Sequence, residues 1–282
     1  MALTEDAAGV FIIAATTFTD AGAIMGEAPK LSSAETVAVM THMLGRVAGR
    51  VPVIVGVSNA GIANIAALSH QAMETGAAGV MIAPPRGIGT NEKHYSYFAQ
   101  CFDALGPDVP VCHQDFPQIT GVELSVDLFL RLVAEFPQLV MLKHEDWPGL
   151  NKLSAIRAAG GRRVSILCGN GGAFLPEEMV RGADGAMTGF SYPEMMVDVV
   201  RLANSGQHEA ASELFDAYLP LIRLEQQPGL GLAVRKEILH RRGALASNAA
   251  RAPAPKLSPA DQSDITRLIT RLEKRLGELS TG

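Results

Sequence analysis

The sequence predicts a (β/α)8 barrel followed by a helical extension, an α/β fold of parallel strands covered by helices. Three observations carry this expectation. Seven short apolar runs alternate with amphipathic stretches along the first 206 residues. The runs are apolar throughout, which suits strands buried on both faces. One helix-to-strand joint also recurs, as Thr75-Gly-Ala-Ala-Gly-Val-Met-Ile82 and Arg181-Gly-Ala-Asp-Gly-Ala-Met-Thr188. Each reads as a C-cap glycine, a tight turn and entry into a buried strand.

Taken in order, the strand-like runs are Val10–Ala15, Val51–Val57, Gly79–Ala83, Val109–Cys112, Leu139–Lys143, Val164–Cys168 and Gly185–Thr188. Between them the helical stretches are Ser33–Val47, Ala63–Thr75, Glu92–Leu105, Ser125–Phe136, Gly149–Ala159, Phe174–Arg181 and Tyr192–Ala203. Ser32 followed by Glu35 forms a capping box for the first helix. Beyond residue 206 the pattern is helical only, over His208–Leu224, Leu230–Arg242 and Pro259–Leu279. The expected division is therefore a barrel over 1–206 and a helical region over 207–282, packed on the barrel or on another subunit.

Closure of the barrel needs eight strands, and seven are found. The shortfall lies between Gly22 and Gly26, where a helix and a strand are missing near the Ala23-Ile24 junction. A segment omitted from the sequence is the preferred reading, because an unclosed barrel would expose two long strand edges.

Composition excludes several functions. A formal charge of −5 provides no general basic field for nucleic acid. No apolar run approaches the ~20 residues a membrane helix needs. Cys101, Cys112 and Cys168 are an odd, scattered set, expected to be reduced thiols of a cytoplasmic protein. The acidic opening, Met1 to Phe11, does not read as a signal peptide. There is no phosphate-cradling or dinucleotide glycine motif and no paired His spacing, so neither cofactor nor metal is expected. Cys168-Gly-Asn-Gly-Gly172 reads as a close-approach turn.

In barrels of this kind chemistry gathers where strands end at their C-termini. The candidates there are Thr16 and Thr17; Met25, Gly26 and Glu27; Ser58 and Asn59; Arg86; His113, Gln114 and Asp115; Lys143, His144 and Glu145; Asn170; and Met187 with Thr188. Lys143 is the most informative, being the lysine that ends an apolar strand. Poor hydration there favours a neutral amine able to attack a carbonyl; the alternative is a lysine that snorkels or pairs with Glu145 or Asp146. His113 suits a general base, or less well a metal ligand. Gln114 and Asp115 suit the orientation of water or a substrate hydroxyl, or a loop cap. Arg86 suits a carboxylate, which its fork grips at two oxygens, or an exposed loop. Trp147 walls the pocket or packs outside it. Glu145 and Asp146 read as solvated loop acids, with tuning of Lys143 as the alternative.

At these positions the chain resembles the dihydrodipicolinate synthase/N-acetylneuraminate lyase family of class I aldolases. The resemblance rests on Thr16-Thr-Phe-Thr-Asp-Ala-Gly22, Gly26-Glu27, Arg50-Val-Pro-Val-Ile-Val-Gly56, Ala83-Pro-Pro85, Pro117, Thr120-Gly121, Leu142-Lys143, Gly169 and the helical tail. It implies a TIM barrel assembled as a homotetramer or dimer, with Lys143 forming a Schiff base to a small 2-oxo acid. It also implies one further helix and strand between Gly22 and Gly26.

The departures narrow the activity. The family's Gly-Thr-Thr-Gly-Glu motif is here Ala23-Ile24-Met25-Gly26-Glu27, and its Tyr-Asn-x-Pro motif is Gln114-Asp115-Phe116-Pro117. The synthase's arginine falls on Ile119, and its interface tyrosine near Arg86-Gly87. The resemblance therefore implies an aldolase or dehydratase on pyruvate or a sugar-derived 2-keto acid rather than the synthase itself. Lys143, Gln114, Asp115 and His113 are the expected catalytic residues. Thr16, Met25, Gly26, Glu27, Arg86, Asn170 and Met187 are expected at the substrate, with His113 or Asp115 as proton carrier. The alternatives are a catalytically inactive ligand-binding or regulatory barrel, and a metal-dependent aldolase for which the sequence shows no ligand cluster.

Overall fold

A computed structural model describes residues 2–13 and 30–280. Ala14 and Ala15 of the first expected strand, the Ala23-Ile24 junction, and Thr16, Thr17, Met25, Gly26 and Glu27 lie outside the described residues. Among the described residues seven parallel strands alternate with helices, and the chain divides into two compact units.

The first unit comprises Met1–Ala8, Ser32–Leu167 and Arg181–Asp184. In chain order it holds α1 (Ser33–Val47), β2 (Ile54–Gly56), α2 (Ile62–Glu74), β3 (Gly79–Ile82), α3 (Asn91–Leu105) and β4 (Val111–Asp115). A single turn, α4 (Pro117–Thr120), precedes α5 (Val126–Glu135), β5 (Leu139–His144), α6 (Leu150–Ala158) and β6 (Ser165–Cys168), whose last residue is counted with the second unit. The capping box forms as expected: Ser32 Oγ accepts from Glu35 N, and the Glu35 carboxylate accepts from Ser32 N at 2.9 Å. Gly76 and Gly182 take positive φ, as the recurring joint requires.

Strands β2, β3, β4 and β5 pair in that order, all parallel. β5 is buried at all six positions, which explains its unbroken apolar run. The helix side is filled by Phe98, Phe102, Phe129 and Leu132, none more than 1% exposed. Each contributes ~1.5–3 kcal/mol by leaving water. One irregularity matters for the site. Val111 pairs with Leu139 but Cys112 pairs with Met141, so the register slips and Val140 is passed over.

The second unit comprises Gly9–Leu31, Cys168–Val180 and Gly185–Gly282. Here β1 (Gly9–Ile12) runs parallel to β7 (Gly185–Thr188), with Gly9 opposite Gly185. The two backbones meet so closely there that a Cβ on Gly185 would overlap Gly9 O. A 3-10 turn at Asn170–Gly172 leads to α7 (Leu175–Val180), and α8 (Pro193–Asn204), α9 (His208–Glu225), α10 (Gly231–Arg241) and α11 (Pro259–Leu279) follow. α11 buries Ile265, Leu268 and Leu272, a stripe at helical spacing, and packs on α9. No helix among the described residues is long and apolar enough to cross a membrane.

Candidate active site

β4 and β5 end side by side, and their register decides which side chains meet. Gln114 lies opposite Lys143, and Asp115 opposite His144. Partners directly opposite share a face of the sheet, while neighbours along a strand take opposite faces. Gln114 and Lys143 therefore project together, and Glu145, two residues beyond Lys143, joins them. Lys143 Nζ lies 3.1 Å from Glu145 Oε2. Gln114 Nε2 donates to that same oxygen at 2.6 Å. Lys143 is 2% exposed and Glu145 5%. An amine, a carboxylate and an amide donor thus converge, nearly dry, at the C-terminal end of β5.

This geometry corrects two expectations. His113 and Asp115, one residue out of phase with Gln114, lie on the face that the helices cover. His113 Nε2 meets His94 Nε2 of α3 at 3.1 Å, and its ring stacks on Phe98 with centroids 4.3 Å apart. Burial is the main cause that holds His94 down at about 4 and His113 well below the usual imidazole range. Both rings are neutral, one donating and one accepting. Asp115 Oδ2 accepts from Lys152 Nζ of α6 at 2.7 Å. The proton carriers expected from sequence are therefore turned away from the Lys143 amine by the pleat.

Lys152 also donates to Asp146 Oδ2 at 2.6 Å, and Glu145 N donates to Asp115 O at 2.9 Å. These bonds fasten the segment after β5 to the end of β4. Gly149 closes the same loop: a Cβ there would come within 2.5 Å of both the His144 ring and Asp146 O. Cys112 shares the Gln114 face, but burial pushes its thiol up to about 12 and leaves it inert. All three cysteines are buried, and none forms a disulfide.

Burial raises the Asp115 carboxyl to about 6, with Lys152 opposing. A folded value above the unfolded one, about 3.9, means that the stability this group contributes is complete below about pH 4. It is lost as pH rises through about 6. Thermal melts of the wild type and Asp115→Asn should show the wild type losing ground to the variant between those values, by about 2–3 kcal/mol. A constant difference across the range would contradict this account.

Among the other candidates, Arg86 is exposed, and its Nε donates to Ile119 O at 3.1 Å. That bond lays the arginine beside the position where the synthase's own arginine is expected. Trp147 is half exposed. In the second unit, Asn170 opens a turn of three successive left-handed residues with Gly171 and Gly172. Thr188 Oγ1 secures it by accepting from Gly171 N at 2.7 Å. A Cβ on Gly171 would overlap the Gln226 amide, which is the close approach that the glycines permit. Met187, adjacent to Thr188 in β7, is buried.

Glu145 is the residue that sequence reasoning undervalued. The i, i+2 spacing from a strand-ending lysine was the available signal, since it places both side chains on one face. Lys152 gave no comparable signal.

The model of the dihydrodipicolinate synthetase family matches residues 17–272. The chain belongs to that family. Its members are lyases of the class I aldolase type. Over 236 residues the chain is 31% identical to L-2-keto-3-deoxyarabonate dehydratase of Azospirillum brasilense, covering 82% of this chain and 75% of that protein. It is 30% identical over 246 residues to the 4-hydroxy-tetrahydrodipicolinate synthase of Rhizobium meliloti, covering 85% of this chain and 81% of that one. The crystal structure of dihydrodipicolinate synthase from Rhodopseudomonas palustris superposes with a TM-score of 0.93 at 45% identity. That match covers 96% of this chain and 99% of the other.

Proposed function

We propose that this member of the family is a Schiff-base-forming lyase, an aldolase or dehydratase acting on a small 2-oxo acid such as pyruvate or a sugar-derived 2-keto acid. The observation that carries the reading is the Lys143 amine, buried at the end of β5 against Glu145 and Gln114. Its attack on C2 expels the carbonyl oxygen as water and leaves an iminium. The iminium is an electron sink, so a bond to C3 can break heterolytically with the electron pair drawn towards nitrogen. Gln114 contributes as a hydrogen-bond donor, since a neutral amide cannot serve as a general acid or base at neutral pH.

The reading has finer parts. The activity is not that of the synthase, because Gln114 and Ile119 stand where the resemblance places its tyrosine and arginine. L-2-keto-3-deoxyarabonate, named for the Azospirillum relative, is a substrate worth testing first. Arg86, Asn170 and Met187 join Thr16, Met25, Gly26 and Glu27 as the proposed substrate-binding set. The working unit is a cytoplasmic homotetramer or dimer of eight-stranded barrels over 1–206, each with a helical region over 207–282. The eighth strand belongs to a βα unit missing between Ala23 and Ile24.

Sodium borohydride added with pyruvate and with 2-keto-3-deoxy sugar acids should leave a reduced adduct on Lys143, read by peptide mass spectrometry. Stabilisation by these ligands with no adduct from any of them would support instead the inactive, ligand-binding reading.

A further inference from the structure

We infer that Glu145 is the acid and base of the Schiff-base reaction. The inference rests on the proposed Lys143 chemistry and deepens it. Three observations support it. Glu145 Oε2 is 3.1 Å from the Lys143 amine, within reach of a direct proton transfer. Gln114 donates to the same oxygen at 2.6 Å from the strand position facing Lys143, so the carboxylate is held in place by an amide that keeps its own protons. The other two acid–base candidates of β4, His113 and Asp115, are engaged by His94 and Lys152 on the opposite face.

The proton balance closes through this one carboxylate. The Lys143 ammonium passes a proton to Glu145, which frees the nitrogen lone pair. The amine attacks C2 of the 2-oxo acid, a C–N bond forms, and a proton moves from nitrogen to the former carbonyl oxygen. Glu145, now a carboxylic acid, protonates that hydroxyl, the C–O bond breaks, water leaves and the iminium forms. The restored carboxylate then removes a proton from C3, and the C–H electron pair becomes the C2–C3 double bond of an enamine. No oxidant or second reactant is required. Gln114 is a positioning residue in this scheme, because it acts through Glu145.

The test uses the full chain with pyruvate in deuterated buffer. Two quantities are followed: imine occupancy by borohydride trapping, and exchange of the C3 hydrogens by NMR. Glu145→Gln is assayed at pyruvate concentrations raised until borohydride trapping matches the wild type. At equal occupancy, exchange should fall about 10²–10⁴-fold. Glu145→Asp keeps the charge but retracts it by one methylene, and should give an intermediate rate. It also provides the measurement if the glutamine variant fails to fold. Exchange per imine within about threefold of the wild type in the variant that folds would overturn the assignment of Glu145 and leave Lys143 standing. Absence of an adduct on the wild type would overturn both.

Discussion

Replacing Lys143 should abolish turnover while the two most informative substitutions leave the protein in different physical states. Lys143→Arg keeps a cation opposite Glu145, but a guanidinium does not deprotonate and cannot form an imine. Lys143→Ala removes both nucleophile and cation. Each should lower kcat/KM by at least about 10⁴-fold and eliminate the borohydride adduct. Only the alanine variant leaves the Glu145 carboxylate buried without its 3.1 Å cation. A buried charge that loses its partner costs about 3–5 kcal/mol. The arginine variant should therefore melt closer to the wild type than the alanine variant does. Substantial turnover by either would remove Lys143 from the mechanism.

The second large effect is expected on stability. In the second unit, Glu225 at the end of α9 is 3% exposed and accepts from Ser191 N and Ser191 Oγ. Its other oxygen receives Arg235 Nε from α10 at 2.8 Å. Burial raises the carboxyl above its usual range, and Arg235 is the charge that opposes this. Arg235→Leu should cost about 3–5 kcal/mol at neutral pH, because the carboxylate is left uncompensated. Without the guanidinium, Glu225 should hold its proton to higher pH. The penalty should shrink as pH falls and the carboxyl protonates, so urea denaturation at neutral and acidic pH reads both the magnitude and the sign. An equal loss at both would show that packing rather than charge carries the effect.

Sequence alone determined the order of the elements. Each of the seven strands and ten longer helices expected from apolar runs and helical spacing is present, with ends shifted by a few residues. This follows because periodicity and capping are local: the Ser32–Glu35 box and the glycines of the recurring joint act within a few residues of chain. Lys143 was legible for the same reason, as the one lysine ending a strand whose burial its own sequence declares.

Which side chains surround that amine was decided by tertiary structure. A strand's pleat alternates faces, so a shift of one residue in pairing exchanges every side chain between the two. Between β4 and β5 such a shift occurs where Val140 is passed over. Without it, Asp115 would lie opposite Lys143; with it, Gln114 does. That single irregularity sets Gln114 beside the amine, which Glu145 already joins through its i, i+2 spacing, and leaves His113 and Asp115 to the helices. Three consecutive polar residues of nearly equal promise in sequence, His113, Gln114 and Asp115, are thereby sorted by a pairing between strands that no local pattern encodes.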